Sequence, residues 1–528
     1  MKRRDFLVNT GLATGAVMSA PYISKGKLVN FLPSQQLGFG DNDSIIIIIE
    51  LFGGNDGLNT IIPIEDSKYS EYRSNIEIYP EFAEQWGNSS LYMHPALVLN
   101  QLNKGMMGML EAGRLAVIEG VGYQNPTLSH FRSRDIWHSG VVSTDPNVKL
   151  NEGWLGKYIS SKLTNFPNEI PEHPIAISLA GTVPLALKSN KGHMGIALNN
   201  INTFYELGSR TNPNDPMRDE SDNFSVEHNF IHSIAQQSAK YSSEVKKAFD
   251  KGKNEIEYST GLAQKFKTIA RLISGGLNTK IYYVGLGGFD SHVQQGDLLD
   301  PMYGQHPKLL SQLASAISEF TEDAVRQGFY RRITGMTTSE FGRRVYDNGS
   351  RGSDHGAASM MFVFGHNDGI KGGHLGNPAD LSNNVKSGNL VARVEEDFRN
   401  IYTDFLKFRL GADDTDIYNV FQDNFVSEFG VLTQYTTSVE SPLANPGNEI
   451  GVFPNPSNGN INIQFELKNT NVISLKAYSL DGTAEYSIKE GLVAAGVYNI
   501  PYHINKKGFY TISMKIGMKR YSQKIIIL

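Results

Sequence analysis

The chain has 528 residues, of which 40% are hydrophobic, and a formal net charge of −5. At roughly 150 residues per domain this is a multidomain protein with enough apolar material for a sizeable core, and its near-balanced charge gives no sign of a strongly basic, nucleic-acid-binding surface. It has no cysteine, which excludes disulfides, thiolate metal sites and a Cys nucleophile.

The N-terminus opens on Lys2-Arg3-Arg4-Asp5-Phe6-Leu7, followed by a mildly apolar stretch to Met18-Ser19-Ala20. A basic start, a short apolar region and small residues near a cleavage point describe an export signal, assigned to residues 1–30. The paired arginines before Asp-Phe-Leu resemble the twin-arginine signal, which implies twin-arginine or general export machinery as a partner. No later stretch has the ~18 apolar residues needed to cross a bilayer, so no transmembrane anchor is expected in the mature chain.

Five isoleucines, Ile45–Ile49, predict a central strand buried on both faces. It runs into Gly53-Gly54-Asn55-Asp56-Gly57, which places a carboxylate at a strand's C-terminal end, where open α/β sheets hold ligands. Helical spacing follows over 97–111, then a strand over 115–121. That strand leads to Asn125-Pro126-Thr127-Leu128-Ser129-His130-Phe131, where Ser129 is a candidate N-cap for a helix over 131–138. Thr127 or Ser129 would then stand at a helix N-terminus, a position that favours an anion. Residues 174–180 and 183–187 predict a strand hairpin, and residues 205–225 an exposed loop.

Amphipathic helices are predicted over 230–249, 262–272 and 306–325. Strand 280–286 ends in Gly287-Gly288-Phe289-Asp290-Ser291-His292, and strand 332–337 leads to Ser339-Glu340-Phe341-Gly342-Arg343. Next come Ser353-Asp354-His355-Gly356, the strand 360–364, and Gly372-Gly373-His374. The alternation predicts an α/β layered domain with a largely parallel central sheet over residues 40–435. Residues 436–451, rich in Ser, Thr, Pro, Asn and Gly, predict a linker. Short alternating strands with turn signals over 452–528 predict a C-terminal all-β sandwich.

No Gly-x-Ser-x-Gly elbow, P-loop or His-Glu-x-x-His occurs. What recurs is a carboxylate or imidazole after a strand or glycine turn: Asp56, Asp290 with His292, Asp354 with His355, and His374. Each alone reads as an ordinary polar turn. Together they could satisfy two divalent ions, zinc or similar, which need roughly six to eight protein ligands. Two such ions would clamp the attacking and leaving oxygens in hydrolysis at phosphorus or sulfur. Thr127 or Ser129 is then the candidate nucleophile, and Arg132, Arg343 or Arg344 the candidate anion clamp. A metal-independent esterase using Ser129 and His130 is a further reading.

The segments 50–59, 125–133, Gly153-Trp154-Leu155-Gly156, Phe289-Asp290-Ser291-His292, Ser339-Glu340-Phe341-Gly342-Arg343 and Asp354-His355-Gly356 resemble a large bacterial family with twin-arginine signals, grouped with the alkaline phosphatase and sulfatase superfamily. The resemblance implies an alkaline-phosphatase-like fold and the ligand order Asp56, Thr127 or Ser129, Asp290 with His292, Asp354-His355, His374. His306 is an alternative to His292, and Glu50 to Asp56. The sulfatase nucleophile segment, Cys or Ser before x-Pro-x-Arg, is missing. The implied function is an exported metal-dependent hydrolase of phosphate or sulfate esters acting on a small-molecule or glycan ester. The alternative is a non-catalytic cell-surface binding or assembly protein on the same fold.

Val452-Phe453-Pro454-Asn455-Pro456, Asp481-Gly482 and the terminal Lys524–Leu528 resemble the type A sorting domain of type IX secretion, a system of Bacteroidota. That resemblance implies type IX machinery as a partner and a cell-surface or extracellular location, periplasmic in transit.

Overall fold

The computed structural model describes residues 22–24, 27–29, 43–98, 105–167, 169–210, 219, 222–259, 261–297, 300, 303–379, 381, 394–427, 429–434, 450–453, 457–467, 470–479, 485–494, 496–516 and 519–527. Most of the export signal expected over residues 1–30, and almost all of the 436–451 linker, lie outside them. The chain divides into two units, Met1–Gln434 and Tyr435–Leu528.

The first unit is built on a nine-stranded sheet. Eight of its strands are β1 (Ile45–Phe52), β2 (Leu115–Gly122), β3 (Ala176–Ser178), β4 (Ile196–Ala197), β5 (Ile281–Gly287), β6 (Ile333–Ser339), β7 (Ser359–Gly365) and β8 (Gly373–Leu375). Their order is β4-β3-β5-β1-β6-β7-β2-β8, and the ninth strand, Glu396–Asp397, also pairs with β2. Only β7 runs against its neighbours; every other pairing is parallel. The predicted largely parallel sheet is therefore present.

The isoleucine run explains the layering. Ile45, Ile47 and Ile49 pack into one core, with Leu262, Phe266, Leu313 and Ile317. Ile46 and Ile48 pack into the other, with Ile136, Tyr158, Ile401 and Phe405. A strand covered on both faces needs apolar, β-branched side chains at every position. The covering helices include α1 (His130–Ser139), α2 (Trp154–Lys162), α3 (Leu262–Ser274), α4 (Gln305–Gln327) and α5 (Phe398–Leu410).

Two local expectations fail. The hairpin over 174–187 is absent: β3 pairs in parallel with β4 and β5, and Leu185–Leu187 is a 3₁₀ turn. Sheet partners distant in sequence override the local pattern there. The 205–225 loop begins inside a helix, Ile201–Arg210, and ends inside another, Asn223–Lys251.

The second unit holds two antiparallel sheets, one of three strands and one of four. Ile461, Ile463 and Phe465 of one share a core with Leu475, Ile512 and Ile525 of the other. This is sandwich packing. The four-stranded sheet includes Glu485–Val493, which pairs antiparallel with Asn471–Ser479.

Candidate metal centre

The carboxyl ends of β1, β2, β5 and β6 and the start of β7 share one edge of the sheet. The segments leaving that edge carry the chemistry. After β5 come Asp290 and His292. After β6 comes Glu340, followed by an antiparallel hairpin, Arg343–Asp347 with Ser353–His355, that leads into β7. After β2 come Thr127, Leu128 and the start of α1.

Four side chains meet there. The Asp290 carboxylate lies 3.4 Å from His130 Nε2, 3.2 Å from His292 Nε2 and 3.3 Å from His355 Nε2. Suitable atoms of His130, Asp290 and His355 lie within 4.8 Å of one another. His292 Nε2 is 2.9 Å from His355 Nε2. The other ring nitrogens are all engaged. His355 Nδ1 donates to Leu128 O at 2.8 Å. His292 Nδ1 meets Asp354 Oδ1 at 3.0 Å, and His130 Nδ1 meets Glu340 Oε2 at 2.5 Å.

A carbonyl can only accept, so the bond to Leu128 fixes the neutral His355 ring with its proton on Nδ1 and Nε2 bare. Burial, reinforced by the charge of Arg343, holds the His355 pKa below its usual value. Carboxylates behind His292 and His130 favour the same tautomer. Three imidazoles with Nδ1 tied back and Nε2 turned to a shared carboxylate form the usual donor arrangement around a divalent ion. The residues fit such an ion.

Asp290 is also steered from below. Arg343, fully buried, donates to Asp290 Oδ1 at 2.9 Å, Phe289 O at 2.9 Å, Gly54 O at 2.8 Å and Ser353 O at 2.8 Å, and also to Gly53 O. Burial raises the Asp290 pKa, but the Arg343 hydrogen bond and charge, then His355 and His292, outweigh it and hold the carboxyl below its usual range. Asp354 is likewise low: burial opposes this, and Asn348 and His292 prevail. Gln295 ties the loops together. Its Nε2 donates to Asp56 Oδ2 at 2.5 Å, and its Oε1 accepts from Ser291 and Ser353 at 2.9 and 2.6 Å.

Backbone strain gathers in the same segments. Among the described residues four non-glycines have positive φ: Asn125 (52°), Gln294 (53°), Arg351 (55°) and Gln422 (60°). The first three sit in the loops that deliver Leu128, His292 and Asp354. Gly53, at φ 114°, lets β1 approach the Asp290 turn: a Cβ there would stand 2.2 Å from Asp290 N.

The other sequence candidates lie elsewhere. Asp56 is fully buried, ion-paired to Arg73 at 2.6 Å. Glu50 accepts from Tyr283, His138 and Arg134 beneath α1; these partners outweigh burial and carry its pKa down to about 2. His306 is buried against Asn55, 3.0 Å away. His374 pairs with Glu119 at 2.7 Å. Its strand lies on the far side of β2, in register with Val117 and not with the strand's carboxyl end.

Arg343 is committed to backbone carbonyls and Asp290, and Arg132 to Ser143 O, Asp145 O and Val148 O. Thr127 Oγ1 accepts from Ser129 N at 3.3 Å. Ser129 is the exposed N-cap residue of α1, and its side chain makes no capping bond. Sequence reasoning quoted Glu340 without giving it a role, and it missed Leu128 because a carbonyl acceptor leaves no mark in side-chain identity.

No curated protein matches the chain. Two solved structures are similar at 10% identity. One is a sulfatase from Pseudoalteromonas sp., covering 88% of this chain and 84% of that one at a TM-score of 0.32. The other is from Bacteroides thetaiotaomicron, reported with that organism's metabolism of multiple glycosaminoglycans, covering 90% and 89% at 0.30. Likeness this weak bears on neither fold nor activity.

Residues 451–528 match a secretion system C-terminal sorting domain. A type IX domain of this kind indicates export to the cell surface or extracellular space by the type IX machinery. Among the described residues no helix is long and apolar enough to cross a membrane. Residues 117–396, more than half the chain, match the family described as "Protein of unknown function (DUF1501)", and the chain belongs to that family.

Proposed function

We propose that this is an exported metal-dependent hydrolase whose ion is held by His130, Asp290, His292 and His355. One observation carries the reading: the Nε2 atoms of His130, His292 and His355 all lie 3.2–3.4 Å from the Asp290 carboxylate, with each Nδ1 already engaged. A divalent ion in that position supplies Lewis acidity toward an ester oxygen. The order of the motifs along the chain supports phosphoric or sulfuric esters as the substrate class, met by the enzyme after twin-arginine export.

The residues divide the remaining work. Glu340, Asp354 and Leu128 O orient the three imidazoles. Arg343 holds Asp290 ionised and fixes its approach. Ser129 is the stronger candidate nucleophile, because its hydroxyl is exposed and unused in capping, whereas the Thr127 hydroxyl closes the turn. Asp354 then stands behind His292 and not at the ion, and one ion is proposed in place of two. Asp56 cannot serve a second ion without giving up Arg73.

The test is elemental analysis of the purified chain together with hydrolysis of p-nitrophenyl phosphate and sulfate. Bound divalent metal and ester hydrolysis, both lost in His355→Ala and Asp290→Asn, support the reading. A well-folded chain that binds no divalent metal sinks it.

A further inference from the structure

A second feature opens on the same edge of the sheet, beyond β5. A cleft of about 590 Å³ lies at the carboxyl ends of β3 and β4, a volume suited to a small organic ligand. Asn199, Asn200, Asn202, Gln264, Thr268 and Phe249 supply most of its functional lining.

The chemistry of that lining is uniform. Among the described residues no carboxylate lines the cleft, and the one cation that does, Lys265, donates to Gly285 O at 3.0 Å. Three of the amides each commit one half to the fold. Asn199 Nδ2 donates to Gly181 O at 3.1 Å, Asn200 Oδ1 accepts from Thr203 N at 3.0 Å, and Gln264 Nε2 donates to Tyr258 O at 2.9 Å. What remains is the carbonyl of Asn199, the NH₂ of Asn200 and the carbonyl of Gln264, with both ends of Asn202. Phe249 adds a half-buried ring, with the Arg271 guanidinium 4.2 Å from its centroid. Paired neutral donors and acceptors beside an aromatic ring suit hydroxyl groups on a carbon ring. They do not suit a phosphate, which calls for uncommitted cations.

Position links this cleft to the metal centre. β3 pairs with β5, the strand that ends at Asp290, and Lys265 bonds to β5 itself at Gly285. One or two strand spacings, about 5–10 Å along the sheet edge, separate the ends of β3 and β4 from the end of β5, the nearest of the strands that carry the metal centre.

We propose that the cleft binds a sugar unit, so that the substrate is an oligosaccharide ester with one residue in the cleft and its ester group at the metal centre. The cleft stands on its own residues; the catalytic end rests on the hydrolase reading. The test uses the full chain loaded with zinc, screened on immobilised cello-, xylo-, manno- and galacto-oligosaccharides and their sulfated counterparts.

The expected result is retention of at least one oligosaccharide, weakened about tenfold in Asn202→Ala and in Gln264→Leu for each lost hydrogen-bonding partner. Retention untouched by the two cleft substitutions overturns the proposal, as does a folded, zinc-loaded chain that retains no oligosaccharide. Zinc content measured on the same samples keeps the readings apart: its absence overturns the hydrolase reading alone, and loss of retention with zinc bound overturns the cleft alone.

Discussion

The Nε2 atoms of His292 and His355 face each other at 2.9 Å, while both rings have their Nδ1 engaged, by Asp354 and by Leu128 O. Two bare imidazole nitrogens at that distance repel unless a positive charge lies between or beside them. An ion at about a hundred times its Kd stabilises the fold by about 2.7 kcal/mol. The expected outcome is one divalent ion per chain and a thermal midpoint that falls when a chelator removes it. His355→Ala should show neither the ion nor the chelator effect. A midpoint indifferent to chelator in the wild type would refute the site.

Asp354 separates two roles. As an orienting acceptor behind His292 it should weaken metal binding by about 10–100-fold when replaced by Ala. Asp354→Asn keeps a carbonyl oxygen facing His292 Nδ1 and should restore most of that loss. A carboxylate that ligated the ion directly would not be rescued by the amide. Titrating zinc into the three proteins decides between the roles.

Much of this was legible in the chain. The isoleucine run announces the central strand, and the polar residues after Gly287 and around His355 announce the turns that bring Asp290, His292 and His355 together. Asp56 and His374 misled because position in a motif series says nothing about which neighbour a side chain finds. Asp56 lies after β1 as expected, but Arg73, seventeen residues on, reaches back and takes it. His374 sits on a strand whose register depends on pairing with β2, and a single sequence does not encode that register in any readable pattern.

The Asp56–Arg73 pair gives a third test. Both side chains are fully buried, so Asp56→Ala leaves a guanidinium in the interior with its ion-pair partner removed, a loss of about 3–5 kcal/mol. Arg73 keeps its bonds to Asn59 Oδ1, Val345 O and Arg344 O, which favours the lower end of that range. Denaturant unfolding should show the loss, while the protein that remains folded binds the same number of ions as wild type. A halved ion count in Asp56→Ala would restore a two-ion site.

Acid should destabilise the fold through His306. Burial, with smaller repulsion from Arg73 and Arg343 and an opposing pull from Asp56, brings its pKa from 6.5 to about 4. The folded state therefore holds the ring neutral over a range in which the unfolded chain protonates it. Its contribution is complete above pH 6.5 and is lost as pH falls toward 4. At about 1.4 kcal/mol per unit the loss reaches about 3–4 kcal/mol. His94, whose ring lies 6.3 Å from that of His306, is held lower still, to about 3 by burial. Its Nδ1 accepts from Ala96 N at 3.0 Å, a bond that protonation removes. His306→Gln keeps a donor for Asn55 Oδ1 and carries no titrating group. The expected result is a wild-type midpoint that drops between pH 7 and pH 5 by more than that of His306→Gln, measured with chelator present so that metal loss does not contribute. Equal drops in the two proteins would show that His306 is not the group responsible.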